Sequence, residues 1–470
     1  MRDYVAVIDD EGEHRARDLV EQARKLAGVA HGTVLVQADN SWRTVVAALA
    51  VGMTGGVLAV VNRHTTGAEF AAAVEDIQPD VVIADPDAAR GWAVSGEPVL
   101  DGWVACRQGE STDVTRWAGG SFIGLTSGST GRAKGVVQTE EALRYACTRT
   151  AEVNGLAPGD AVAAIVPLSS TAAFCFGVHL SLQLGGPLVL MDRWDPARAV
   201  ARLAETGVRW TMCVPTMALQ MGAAAAGSRA LTGVRSITVG GGPMDRAALA
   251  RAERSLGTRI LRVFGMSECL GHTSPSPDDP EDLRLGRDGR PFAGTDLRAV
   301  STTGEALAVG ETGHAQVRGP SLFLGYARAG KVEPPALTED GFFPTGDLLM
   351  THDDGTVTIM GREKDVIIRG GRNIDITEIE RAVAGHPRIE QACVVPVPDE
   401  LLGERVALLA VTNDGGEIGL DEVTGYLHEG GLAKTKWPEY VFTVADLPQT
   451  RVGKLDRKGA RELARQHVTA

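Results

Sequence analysis

The sequence predicts an α/β protein, with a large N-terminal domain of helix-covered, mostly parallel sheets and a small α+β C-terminal domain. Three observations carry this reading. Short β-branched runs, Thr33-Val34-Leu35-Val36, Val81-Val82-Ile83-Ala84 and Ala163-Ala164-Ile165-Val166, alternate with alanine-rich stretches of helical length, as buried parallel strands under helices do. The texture changes in the last third. There Gly355-Thr356-Val357-Thr358-Ile359 and Lys364 to Arg369 read as strands, and Thr377 with Glu380 has capping-box spacing ahead of a helix. Finally, 470 residues exceed what one hydrophobic core usually holds. The expected units are residues 1–361 and 365–470, joined through 362–364. Within the first, Ala223 to Ala226 reads as helix. Gly271 to Asp288, with Pro275, Pro277 and Pro280 among acidic residues, reads as a solvated loop.

Composition narrows the function classes. Hydrophobic residues at 44% beside 23% charged residues support a packed core rather than a disordered chain. A formal net charge of −13 disfavours sequence-independent nucleic-acid binding, which needs a basic face to displace counterions. Cys106, Cys147, Cys175, Cys213, Cys269 and Cys393 are scattered without metal-ligand spacing and read as buried thiols of a reducing compartment. The charged N-terminus has no signal-like apolar core, and the apolar run Val45 to Val61 is broken by Gly52, Gly55 and Gly56. The expectation is a cytoplasmic protein with no membrane partner.

The strongest local signal is Thr126-Ser127-Gly128-Ser129-Thr130-Gly131-Arg132-Ala133-Lys134-Gly135, following the apolar run Phe122-Ile123-Gly124-Leu125. Hydroxyls, glycines without Cβ and one lysine suit a loop that wraps a polyphosphate with backbone N–H groups. A Ser/Gly-rich surface turn has the same composition. The G-x-x-x-x-G-K-S/T pattern is absent, which disfavours a P-loop nucleotidase.

The order of these residues resembles the phosphate-loop signature of the adenylate-forming superfamily, with only Ala133 departing where proline is usual. Further resemblances follow in the family's order. Gly240-Gly241-Gly242-Pro243 resembles its adenine-side glycine turn, and Phe264-Gly265-Met266-Ser267-Glu268 its aromatic-Gly-x-S/T-Glu element. Thr345-Gly346-Asp347 resembles its ribose-binding element. Gly361-Arg362-Glu363-Lys364-Asp365, followed by Gly370-Gly371, resembles the hinge and glycine loop of its small domain. Pro448 to Lys454 resembles its PxTxxGK. Alone, each has a bland reading as a turn, a strand end or a solvated lysine. Together and in order, they span most of the chain.

The resemblance implies an acyl-CoA synthetase-like ligase that uses ATP and Mg²⁺ to convert a small organic acid, aryl, cinnamic or medium-chain, into its adenylate and then its thioester. It implies that Thr126, Ser127, Gly128, Ser129, Thr130, Gly131 and Lys134 hold the β- and γ-phosphates. Gly241, Gly242, Pro243, Phe264, Gly265 and Met266 would cradle adenine, and Ser267 would approach the α-phosphate. Glu268 would help hold Mg²⁺, whose preference for hard oxygen ligands suits a carboxylate. Asp347 and Arg362 would hold ribose, and Lys454 would bridge the acid and the α-phosphate. Lys364 would be the hinge on which a mobile small domain turns, presenting Gly370 and Gly371 to a thiol. Coenzyme A is the default acceptor and a free-standing carrier protein the alternative. A monomer or homodimer is expected.

The acid pocket departs from the family. Ser170 stands where many acyl and aryl ligases carry histidine, and no aspartate is placed to pair an α-ammonium, which disfavours amino acids. Ser169, Ser170, Phe174, Cys213 and Thr216 are the expected lining, although core packing explains the apolar ones equally well. Activation of nitrite and a non-catalytic nucleotide-binding relative are the remaining alternatives.

Overall fold

The computed structural model describes residues 3–109, 113–126, 132–242, 244–370, 372–450 and 453–469. Two large sheets dominate the first 360 residues. One has nine strands, centred on the parallel set Phe122–Thr126, Val57–Val61, Thr33–Gln37 and Val81–Ala84. Its flanks are antiparallel and include Lys134–Gln138 and Gly325–Arg328. The central strands are mostly apolar, as suits a sheet covered by helices, and Val34, Val36, Val60, Ile83 and Ile123 have no exposure.

The second sheet has seven strands, with Arg259–Arg262, Ser236–Val239, Val208–Cys213, Ala161–Ala164 and Leu188–Leu190 parallel in that order. It ends in the hairpin Val5–Asp9 and Gly12–Arg15. The glycine run Gly240 to Gly242 follows the C-terminal end of Ser236–Val239, the edge at which open α/β sheets place their ligands. Helix Gly67–Ile77, opened by a Thr66/Glu69 capping box, packs beside the strand pair Lys134–Gln138 and Gly325–Arg328.

A four-stranded antiparallel sheet, Asp296–Val300, Thr312–Arg318, Phe343–Thr351 and Val357–Arg362, follows. The chain then turns through Glu363 and Lys364 into a separate sheet built from Val366–Arg369, Arg372–Asp375, Ile389–Asp399, Gly403–Thr412 and Tyr440–Thr443. That sheet has its own core, including Ile367, Ile379, Val394, Val406 and Leu408.

Several local expectations are corrected. The helix Ile376–Ala384 is capped by Asp375, whose side chain accepts from the Thr377 N–H at 2.7 Å. Glu380 instead accepts from the Val394 N–H and pairs with Arg457, because it faces the core of the small unit. The stretch 271–288 is not a solvated loop. It contains part of the strand Cys269–Ser274 and the helix Glu281–Gly286, and it buries Arg284 against Glu253 and Asp288 against Arg262. The strand expected at 163–166 is Ala161–Ala164. Five of the cysteines are buried, but Cys106 is half-exposed. Among the described residues, no helix is long and apolar enough to cross a membrane.

Candidate active site

Thr126 closes Phe122–Thr126 and pairs with Lys134, which opens the next strand, so the two bracket the loop between them. Residues Ser127 to Gly131 of that loop lie outside the described residues, as do Pro243 and Gly371. The Lys134 ammonium sits 4.8 Å above the Tyr326 ring. The Tyr326 hydroxyl donates to Glu268 Oε1 at 3.0 Å. Burial first, and then the Glu268 charge, holds the Tyr326 hydroxyl above its ordinary pKa, so it remains a donor.

Glu268 itself is fixed through its backbone: its carbonyl accepts from the Phe323 N–H at 2.8 Å, and the neighbouring Ser267 carbonyl accepts from the Gln138 amide at 2.8 Å. Phe264 and Met266 lie on the short strand Phe264–Met266, half-buried, with Gly265 exposed between them. The Phe264 ring meets His272 edge-on at 4.8 Å. His272 is fully buried, and burial drives its pKa down to about 3, so it is neutral. Among the described residues, no group of three or more His, Cys, Asp or Glu side chains is arranged to hold a metal.

Gly240, Gly241 and Gly242 leave the strand Ser236–Val239. At Gly241 φ is +84°, and a Cβ there would lie 2.9 Å from Lys454 Cε and 3.3 Å from its Nζ. The lysine from the small unit therefore lies along the glycine turn of the large one. Lys454 is exposed, yet protein surrounds it closely enough that desolvation lowers its pKa. The Arg362 charge lowers it further and Glu268 opposes this. The Gly453 carbonyl accepts from the Thr216 hydroxyl at 3.3 Å, a second contact across the cleft.

Asp347 and Arg362 are directly opposed in the antiparallel pair Phe343–Thr351 and Val357–Arg362, with Nε 3.3 Å from Oδ1. Asp347 is buried and its carboxyl is held above the usual range by desolvation, which Arg362 and the Thr345 hydroxyl partly offset. Lys364 is exposed in the turn after Arg362. Gly370, at φ +56°, lies farther along, its N–H donating to the Leu402 carbonyl at 2.7 Å.

The expected acid-pocket residues divide. Thr216 reaches the cleft, and Ser170 is half-buried at the start of a short helical turn. Ser169 is buried and accepts from Asn62 at 3.0 Å. Phe174 is corrected to a core residue: it is 1% exposed and stacks on Phe122 at 4.6 Å. Cys213 is buried too, with its thiol pushed up to about 12 and so unreactive. Tyr326 was not foreseen. It reaches Glu268 and Lys134 only because its strand pairs with Lys134–Gln138, a long-range pairing that no local spacing announces.

The chain matches the family model described as AMP-binding enzyme over residues 1–327 and that described as AMP-binding enzyme C-terminal domain over 378–454. It is 38% identical to triostin synthetase I of Streptomyces triostinicus over 344 residues, 72% of this chain and 64% of that one. It is 34% identical to a salicylyl-CoA synthase / salicylate adenylyltransferase of a Streptomyces species, over 73% of this chain and 62% of the relative. It thus spans just under two thirds of the length of these curated relatives. Among solved structures, ATP-bound MatB from Rhodopseudomonas palustris superposes with a TM-score of 0.86 at 26% identity, covering 98% of this chain and 96% of that one.

Proposed function

Because the chain belongs to the AMP-binding enzyme family, within the adenylate-forming superfamily, we propose that it activates an aryl carboxylic acid with ATP and passes the acyl group to a thiol. One observation carries the reading: Lys454 of the small unit lies against the Gly241 turn of the large unit, in the field of Arg362 and Glu268. A cation delivered there meets the negative charge that gathers as a carboxylate attacks a phosphate ester.

The acid's carboxylate oxygen attacks the α-phosphorus, the α–β bridging P–O bond breaks, and pyrophosphate leaves with that bond's electron pair. The product is a mixed anhydride. Asp347 accepts hydrogen bonds from both ribose hydroxyls best when ionised, with both oxygens free as acceptors, while Arg362 holds that carboxylate in place. Lys134, with Thr126 and the loop Ser127 to Gly131, steadies the β- and γ-phosphates. Phe264, Gly265, Met266, Gly241, Gly242 and Pro243 bound the adenine, and Ser267 faces the α-phosphate.

Glu268 is the carboxylate available for Mg²⁺. Its Oε1 accepts one hydrogen bond from Tyr326, and a single protein carboxylate suits an ion that shares its remaining positions with phosphates and water. Such an ion neutralises developing phosphate charge. Lys364 is the hinge between 1–361 and 365–470, and turning about it withdraws Lys454 and brings Gly370 and Gly371 to the thiol.

An aryl acid is favoured over a fatty acid by two of the more similar relatives, the salicylate adenylyltransferase and a 2,3-dihydroxybenzoate-AMP ligase of Bacillus subtilis 33% identical over 74% of this chain. Coenzyme A is the acceptor we assign, with a carrier-protein thiol as the competing outcome. Acid-dependent ATP–pyrophosphate exchange over benzoate, salicylate, 2,3-dihydroxybenzoate, cinnamate, octanoate and nitrite tests the reading. Mass analysis with and without CoA follows. Exchange with an aryl acid and an aryl-CoA product are expected. Exchange with none of the panel overturns the activity, and an adenylate that never reaches CoA overturns the acceptor.

A further inference from the structure

We propose that Asp76 is a positioning residue for nucleotide binding, clamping the two strands that carry Lys134 and Tyr326; the proposal rests on the functional reading above. Asp76 is 6% exposed and lies in the last turn of the helix Gly67–Ile77. A carboxylate there opposes the negative end of the helix dipole and loses its hydration, so the position needs compensating charge. Two arginines supply it. Arg132 Nε donates to Asp76 Oδ2 at 3.0 Å, and Arg328 Nη1 lies 3.6 Å from Oδ1.

Each arginine stands two residues from a site residue. Arg132 precedes Lys134 at the exit of the phosphate loop, and Arg328 follows Tyr326 on the partner strand, where Tyr326 pairs with Val136 and Ala327 with Gly135. The Asp76 carbonyl also accepts from the Gly330 N–H at 2.9 Å, tying down the far end of the same hairpin. One carboxylate therefore sets the offset between the two strands. That offset places the Lys134 ammonium over the Tyr326 ring, and the Tyr326 hydroxyl on Glu268. Arg132 makes further contacts to Glu75 at 2.8 Å and to the Ala72 carbonyl at 3.3 Å, but Glu75 is mostly exposed and its pair is weak by nature.

The test is Asp76→Asn in the full chain, with MgATP affinity measured by direct titration without acid, and KM for ATP and for the acid measured in exchange. MgATP affinity should fall about tenfold and KM for ATP rise with it, while KM for the acid stays put. Glu75→Gln should leave all three within about twofold, since an exposed pair contributes little. If Asp76→Asn does not fold, Arg132→Gln removes the same bond from the exposed side, and Arg132→Lys should restore part of the affinity. A folded Asp76→Asn or Arg132→Gln variant with wild-type MgATP affinity overturns the clamp. So does an equal rise in both KM values. Because the titration needs no acid, it decides the clamp even if no acid in the panel is turned over.

Discussion

Arg362 reaches Asp347 at 3.3 Å across a strand pair, and the two differ sharply in exposure: the arginine side chain is 68% exposed and the aspartate side chain 5%. The carboxylate is therefore desolvated without full compensation, which is why its pKa lies above the ordinary carboxylate value. A carboxyl whose pKa is raised by folding contributes stability below its unfolded pKa and loses it as pH rises through the folded one. At neutral pH, ionised Asp347 thus works against stability. Asp347→Asn should raise Tm at pH 7, with the gain shrinking as pH falls toward about 4. The same variant should weaken ATP binding. A lower Tm at pH 7 would count against this account of the site.

At Gly241 two penalties coincide. A φ of +84° costs a non-glycine residue about 1–2 kcal/mol, and an added Cβ meets the Lys454 side chain at 2.9 Å. Gly241→Ala should therefore lower acid-dependent pyrophosphate exchange about tenfold or more, and MgATP affinity should fall with it because the same turn bounds the adenine. Lys454→Ala should abolish exchange while leaving MgATP affinity within about threefold. The clash account fails if a folded Gly241→Ala variant exchanges pyrophosphate at the wild-type rate.

Far from the cleft, Arg284 and Glu253 form a buried pair. Both are nearly unexposed; Arg284 Nη2 lies 2.8 Å from Glu253 Oε1, and Glu253 also accepts from the Ile260 N–H. Leaving the guanidinium unpaired costs about 3–5 kcal/mol. Glu253→Gln should lower denaturant stability by that order with KM for ATP unchanged. A loss under about 1 kcal/mol would mean that the amide replaces the carboxylate adequately.

What the sequence disclosed depended on range. The runs around Val34, Val82 and Val357 could be placed as strands because hydrophobic pattern is local, and the glycine turn at Gly241 could be placed because its neighbours in the chain define it. Tyr326, Asp76 and Arg132 could not be joined, because their meeting depends on the pairing of Lys134–Gln138 with Gly325–Arg328 and on a helix packed beside both. The stretch 271–288 misled for a related reason. Its acidic residues look solvated until Arg262, carried on a separate strand, takes up Asp288. Thr377 looked like a cap because it has the right neighbour at Glu380, but Asp375 stands two residues earlier with a stronger acceptor.

The turn through Lys364 supplies the last prediction. Lys364 is exposed, and the turn around it is closed by its neighbours: the Asp365 N–H donates to the Arg362 carbonyl at 3.0 Å and the Glu363 N–H to the Gly346 carbonyl at 3.0 Å. Its side chain can therefore be removed at little cost, and Lys364→Ala should leave both half-reactions within about twofold. Proline differs, because its ring fixes φ near −65° and restrains the residue before it. If the small unit turns about this residue between half-reactions, a restraint there must act unequally on the two. Lys364→Pro should lower aryl-CoA formation about tenfold or more relative to pyrophosphate exchange, or the reverse if proline favours the second arrangement. Equal loss in both half-reactions, in a variant that keeps the wild-type Tm, would remove Lys364 from the role of hinge.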